Sequence, residues 1–342
     1  PESLMRPSTI SSLQSLTIDM FVVDEAHCIS KWGSDFRKDY EELKELRKYF
    51  PHAIISAFTA TADEETRADI NQKLTNGKGK IFLNGFNRPN LSLAVQQKYN
   101  WKEQLLEFLQ GRQHQAGIIY CLSRKDTEIC ASYLSSNGFR AFFYHAGMEK
   151  VDKVNVQDRF MSEDNIVICA TIAFGMGIDK SNVRFVAHTS LPGSMENFYQ
   201  EIGRAGRDGL PTKIVLLYNP EDRELPEHFI ENSRPSREKY QKVVDTLKIE
   251  PLGEWDLMRK TNLIQTQIRQ IKSDLIEQGI IREVMYGRRK KCEYQFGAPV
   301  LDTRPFENLR NFKLGELDKM MSYSESSVCR MDFLCRYLGD NT

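Results

Sequence analysis

Two adjacent carboxylates, Asp24 and Glu25, follow four apolar residues, Met20–Val23, and precede Ala26 and His27. A buried strand ending in paired carboxylates suits metal-assisted phosphoryl transfer. The Asp can hold Mg²⁺ through water, and the Glu can orient or deprotonate an attacking water. A solvated acidic loop is the competing reading. Further along, Gln200, Arg204 and Arg207 lie at i, i+4 and i+7, which places them on one face of a helix expected over 194–205 and its continuation. Two guanidiniums on one face match phosphate oxygens. One of them, supplied from a second domain, can act as an arginine finger on a γ-phosphate. A surface salt-bridge face competes, although Gly203 and Gly206 are costly in a plain surface helix.

Two other stretches carry chemistry less specifically. Residues 28–40 interleave Trp32 and Phe36 with Lys31, Arg37 and Lys38. Aromatic faces stack on unpaired bases and cations neutralise phosphates, whereas an Ω-loop with its rings packed inward explains the same composition. Residues 56–62, Ser-Ala-Phe-Thr-Ala-Thr-Ala, allow close approach and local hydrogen bonding. A threonine cap on the next helix explains them equally well.

The elements that must position these residues alternate. Strands are expected over 20–23, 53–55, 117–120, 141–144, 166–169, 183–186 and 213–217, and helices over 41–50, 63–74, 125–137, 151–161 and 194–205. Alternation of this kind predicts parallel sheets covered on both faces. Ligands bind such sheets at the carboxyl ends of strands, which is where Asp24 and Glu25 fall.

Composition bounds the rest. The chain has 342 residues, with 47 basic residues against 47 acidic, so total charge does not point to nucleic acid. No apolar run approaches the roughly 20 residues that span a bilayer, so no membrane partner is expected. Seven scattered cysteines do not read as a disulfide framework, and a reducing compartment is expected.

Taken in order, Asp24 to His27, Thr59 to Ala62, Thr171 to Lys180 and Gln200 to Gly209 resemble the motifs of superfamily 2 helicases. The 32–40 loop, Arg88-Pro89-Asn90-Leu91 and Tyr144-His145-Ala146-Gly147-Met148 narrow the resemblance to the RecQ family. It runs through about Tyr218. The resemblance implies two RecA-like domains that close around ATP and drive 3′-to-5′ translocation on DNA. It implies that Asp24 holds Mg²⁺ and that Glu25 is the hydrolytic base. His27 would link the nucleotide site to the aromatic loop, and Asp179, Gln200 and Arg204 would line the nucleotide cleft. Arg207 would be the arginine finger. Trp32, Phe36, Arg37 and Thr171 would contact single-stranded DNA. Ser34 and Lys38 depart from the family's usual His and Pro.

The tail is expected to differ. Helical patterns at 256–260 and 263–278, then strands at 280–284 and 292–296, look like a winged helix with a turn over 286–291. From Arg259 to Lys291 there are nine Lys or Arg against three Asp or Glu. Arg288, Arg289, Lys290 and Lys291 are therefore candidates for gripping duplex phosphates. Cys329 resembles the first ligand of the family's four-cysteine zinc module, and Cys335 is read as packing. Four ligands are needed, so zinc is expected only in a longer parent protein. The expected fold class is thus α/β: two RecA-like domains, the first incomplete, followed by a helical and winged-helix-like region. The expected boundaries are 1–95 and 96–220 for the two RecA-like domains, 221–255 for a helical linker, 256–298 for the winged helix and 299–342 for the start of the zinc module.

No Gly-x-x-x-x-Gly-Lys-Ser/Thr loop occurs in the 342 residues, and that loop cradles the phosphates of ATP. With Pro1-Glu2-Ser3 at the start and no initiator Met, the expectation is a fragment truncated at both ends, inactive alone. Poor solubility is expected from the incomplete first sheet. A monomer is expected, acting at the nucleoid in a bacterium or in the nucleus of a eukaryote. The alternative is a non-catalytic DNA-binding or partner-binding module on the same scaffold.

Overall fold

The structure, a computed structural model, describes residues 1–30, 37–175, 178–287 and 289–340. The chain forms two compact units, residues 1–222 with 318–342, and residues 223–317.

The first unit opens with α1 (Pro7–Gln14), β1 (Met20–Val23), the short helices α2 (Lys38–Glu41) and α3 (Leu46–Tyr49), β2 (Ile54–Ala57) and α4 (Glu64–Thr75). The helix expected over 41–50 is broken, with a 3-10 turn at Glu42–Glu45 between α2 and α3. β1 and β2 pair in parallel, Met20 opposite Ile54 and Val23 opposite Ala57. Val23, Ile55, Ile70 and Leu74 pack with Ala26 and Ile29 in one core. On the other face of the same pair, Met20, Val22 and Ile54 are exposed, as is Phe58 beyond β2.

Next come β3 (Leu91–Gln97), α5 (Trp101–Leu109), β4 (Ala116–Tyr120), α6 (Arg124–Ser136), β5 (Arg140–Tyr144), α7 (Lys150–Ser162), β6 (Ile166–Ala170), β7 (Val183–His188), α8 (Met195–Ile202) and β8 (Thr212–Tyr218). Six of these strands make one sheet in the order β3-β8-β7-β4-β6-β5, and every pairing is parallel. β4 and β6 are buried at every residue, as strands covered on both faces must be. β3 was not anticipated, and the expected boundary at 95/96 cuts through it. Its Ser92, Gln96 and Gln97 interrupt the apolar pattern, yet it adds the edge strand beside β8.

The second unit holds α9 (Glu224–Ser233), α10 (Arg237–Ile249), α11 (Glu254–Thr261), α12 (Gln265–Glu277), the strands β9 (Ile281–Tyr286) and β10 (Arg289–Tyr294), and the first part of α13 (Arg304–Glu325). The expected linker is not a separate piece: Tyr240, Val243, Val244 and Leu247 of α10 share one core with Leu257, Ile268, Ile271, Leu275 and Ile281. A buried hydrogen bond of 2.5 Å from Tyr240 to Asp274 Oδ2 ties α10 to α12. α11, α12 and the antiparallel hairpin have the expected winged-helix order. The rest of α13 and α14 (Arg330–Tyr337) belong to the first unit, where Tyr218 Oη donates to Glu325 at 2.6 Å.

Candidate active site

β1 delivers Asp24 to an exposed position at its carboxyl end. The Asp24 carboxylate accepts from the Glu25 amide at 2.8 Å. Glu25 has φ +49, a left-handed conformation that costs a residue with a Cβ roughly 1–2 kcal/mol. That turn starts the short 3-10 helix Ala26–Ile29. Two backbone bonds fasten it to the end of β2, Ala26 N to Phe58 O at 2.9 Å and Phe58 N to Val23 O at 2.8 Å. His27 is buried. Its Nδ1 lies 2.9 Å from Thr59 Oγ1 and 3.5 Å from Glu25 Oε2. The Thr59 hydroxyl donates to Thr61 O at 3.0 Å, so its remaining role toward His27 is acceptor. His27 thus reaches both the carboxylate turn and the 59–61 segment. Trp32, Phe36 and Ser34 fall outside the described residues, as does the side chain of Lys38. Arg37 is exposed, and its amide donates to Cys28 O at 2.9 Å.

The arginines are placed differently from expectation. α8 is capped by Ser194, which accepts from Asn197 N at 3.2 Å, and ends at Ile202. Gln200 is on the helix, but Arg204 and Arg207 lie in the loop beyond it, so the three do not share a helical face. Gly203 ends the helix, and Gly206 turns the chain with φ +58, a conformation open to glycine at little cost. The separation is chemical as well as geometric. Gln200 Nε2 donates to Thr61 Oγ1 at 3.1 Å. Arg204 donates to Gly175 O, and a Cβ at Gly175 would collide with that guanidinium. Arg204 therefore grips the segment that follows Thr171. Arg207 Nη1 pairs with Asp179 at 2.5 Å. The Asp179 side chain is 84 % exposed, and exposed pairs are worth about 0–1 kcal/mol, so this one is easily exchanged for a more highly charged anion. Thr171 sits at the carboxyl end of β6, its amide donating to Tyr144 O at 3.2 Å.

A buried polar cluster that reaches the segment after Thr171 was not read from the sequence. His188 Nε2 and Glu201 Oε2 make a buried pair at 2.7 Å, and Tyr120 stacks on the His188 ring at 5.2 Å. Burial pushes the Tyr120 phenol up, and it stays neutral to donate to Phe174 O at 3.2 Å. Nothing in the local pattern distinguishes these from ordinary core residues.

In the second unit the expected six-residue turn is shorter. Arg289, Lys290 and Lys291 pair with Tyr286, Met285 and Val284 in the β9–β10 ladder, so they are strand residues. The aromatic and β-branched residues of β9 extend the pairing into the basic run. Lys290 is paired with Glu283, and Lys291 Nζ lies 5.4 Å from the Tyr286 ring centroid. Arg288 falls outside the described residues. Cys329 is exposed and Cys335 buried. Among the described residues no cluster of three or more His, Cys, Asp or Glu side chains could hold a metal, and no helix is long and apolar enough to cross a membrane.

Two family models match in order, DEAD/DEAH box helicase over residues 1–70 and helicase conserved C-terminal domain over residues 97–209. Among solved structures, S. cerevisiae Dbp5 bound to RNA and ADP BeF3 superposes with TM-score 0.50 at 19% identity, covering 63% of this chain and 59% of that one. That likeness is one of fold, and the class it defines is the RecA-like helicase fold. The ATP-dependent DNA helicase RecQ of Pasteurella multocida (strain Pm70) is 44% identical over 255 residues, 75% of this chain and 40% of that protein. The probable ATP-dependent DNA helicase RecS of Bacillus subtilis (strain 168) is 43% identical over 255 residues, 72% of this chain and 51% of that protein. The chain belongs to the RecQ family of helicases. It spans about two fifths of the length of the first two curated relatives it matches.

Proposed function

We propose that this chain supplies the hydrolytic and arginine-bearing parts of an ATP-dependent DNA helicase that moves 3′ to 5′. One observation carries the reading: side-chain hydrogen bonds run from His27 through Thr59 and Thr61 to Gln200. They join the carboxylate turn beside one sheet to Gln200 on α8, the helix that leads into the arginine loop beside the other, as a motor that senses nucleotide from both sides requires.

Each residue has a role in this reading. Asp24 fits Mg²⁺, a cation held by one or two carboxylates together with phosphate oxygens. Bound ATP and Mg²⁺ would supply the transferable phosphoryl group and much of the charge neutralisation. Glu25 orients and deprotonates water. Arg207 leaves Asp179 for the γ-phosphate. Gln200 reports closure to Thr61, and Arg204 carries the signal to the segment after Thr171. That segment, with Trp32, Phe36 and Arg37, contacts single-stranded DNA. The β9–β10 hairpin grips duplex phosphates at a junction. Cys329 serves as one zinc ligand and needs three more, so zinc belongs to the full-length protein, where metal analysis tests it. The site of action is wherever DNA is held, the nucleoid or the nucleus.

The chain by itself is expected to be inactive, because none of its 342 residues forms the Gly-x-x-x-x-Gly-Lys-Ser/Thr loop. Mixed with single-stranded DNA and ATP, it should release no more phosphate than its Arg207→Ala variant; release above that control overturns the expectation. In the full-length protein, strand displacement from a 3′-tailed but not a 5′-tailed duplex tests direction. A non-catalytic binding module has no chemical need for Asp24, Glu25 and Arg207 together, which favours the motor.

A further inference from the structure

The loop that presents Arg207 lies between the end of α8 at Ile202 and the start of β8 at Thr212. Without ladder or helix bonds along its length, its carbonyls need other partners. Three of them meet side chains from the segment just before β3. Arg88 Nη2 donates to Ala205 O at 3.0 Å and to Gly206 O at 2.9 Å. Asn90 Nδ2 donates to Gly206 O at 2.8 Å and to Leu210 O at 3.2 Å. Both Asn90 partners are carbonyls, so only the amide nitrogen can serve, and its two hydrogens are both used. The Arg88 bonds are charge-assisted, the stronger kind.

The fit is close on every side. A Cβ on Gly206 would stand 2.5 Å from Asn90 Nδ2 and 2.7 Å from Thr212 Oγ1. The Asn90 carbonyl accepts from Thr212 N at 2.9 Å, and Gly206 N donates to Val183 O at 2.9 Å. Arg184 holds Asp208 through both carboxylate oxygens at 2.6 Å. The residues on both sides of Arg207 are therefore fastened, while Asp179, the partner of the Arg207 side chain among the described residues, is exposed.

We infer that Arg88 and Asn90 are positioning residues for Arg207: they fix the backbone of residues 205–210 so that this guanidinium is aimed before nucleotide arrives. The inference rests on the reading of Arg207 as the γ-phosphate arginine. They act through the loop and touch neither nucleotide nor DNA. Displacing a reacting group by about 1 Å costs on the order of 10²-fold in rate, so the effect belongs in kcat and leaves the KM for ATP nearly unchanged.

The test uses the full-length protein with Asn90→Asp, which keeps the size of the side chain but removes both donors. Arg88→Ala is the second variant and Arg207→Ala the reference. Amide hydrogen exchange over 203–210 reads the loop, and DNA-stimulated ATP turnover reads the aim. Faster exchange confined to 203–210, a roughly 10- to 100-fold loss of kcat and a double variant no slower than Arg207→Ala alone support the inference. Unchanged exchange in Asn90→Asp overturns it. So does a loosened loop with full turnover when Arg207→Ala is inactive. If Arg207→Ala itself keeps full turnover, the γ-phosphate reading fails, whatever Asn90→Asp does, and the inference falls with it.

Discussion

Gln200 on α8 donates a hydrogen bond of 3.1 Å to Thr61 Oγ1, beyond the carboxyl end of β2. Thr61 is bonded in turn to Thr59, which holds His27. A single neutral hydrogen bond contributes about 1 kcal/mol net, enough in the proposed motor to bias closure between the two sheets and small enough to break in every cycle. Gln200→Ala or Thr61→Val in the full-length protein should lower DNA-stimulated ATP turnover roughly fivefold. The two changes together should cost no more than either alone. Additive losses in that double-mutant cycle would show that the contact is incidental.

Arg207 separates function from stability. Its pair with Asp179 is exposed and contributes less than about 1 kcal/mol. Arg207→Ala should leave the melting temperature within a degree or two, while turnover falls on the order of 10³-fold, the usual worth of an arginine finger. A large drop in melting temperature would assign the residue to the fold instead.

Glu25 should separate function from stability for a different reason. Its left-handed backbone at φ +49 is unfavourable for glutamate and free for glycine. Glu25→Gly should therefore melt no lower than the unchanged protein while hydrolysis is lost. Retained hydrolysis would sink the hydrolytic-base role.

The loop bearing Arg207 should weaken in acid. The Arg184 guanidinium beside Asp208 holds that carboxyl below the usual carboxylate range. A depressed folded pKa contributes stability above the unfolded value of about 4, and that stability is lost as the pH falls through the folded one. Exchange over 203–210, corrected for intrinsic rate, should accelerate as the pH drops below about 4. In Asp208→Asn it should already be fast at neutral pH, with that part of the pH dependence gone. A pH profile identical in the two proteins rules this out.

Duplex binding should draw unequally on the basic run. Lys290 is already paired with Glu283, whereas Arg289 is an exposed strand residue. Replacing Arg288, Arg289 and Lys291 by Gln should flatten the salt dependence of duplex affinity by about one unit of slope per lost phosphate contact. Lys290→Gln should change it less. Unchanged affinity at low salt across all four replacements removes the hairpin from the interface.

The sequence by itself determined the class of the protein and supplied the residues proposed for its site. The apolar run preceding Thr171 reports a parallel strand and its carboxyl end because burial on both faces leaves no alternation to misread, and the run preceding Asp24 is equally apolar although Met20 and Val22 are exposed. The paired carboxylates and arginines could be singled out for the same local reason: the roles proposed for them depend on residue type and order. Partnership was not legible. Helical spacing put Arg204 and Arg207 on one face with Gln200, whereas α8 stops at Ile202 and the carbonyls beyond it are taken by Arg88 and Asn90, 117 and 116 residues away from the first they meet in each case. β3 went unread because its polar residues hide a strand that exists through pairing with β8. The basic run looked like a turn because charge masks strand propensity, and only the ladder with β9 reveals it. For the arginine loop and for β3 a hydrogen-bond partner distant in sequence decided the local structure, and such partners are set by the tertiary fold alone.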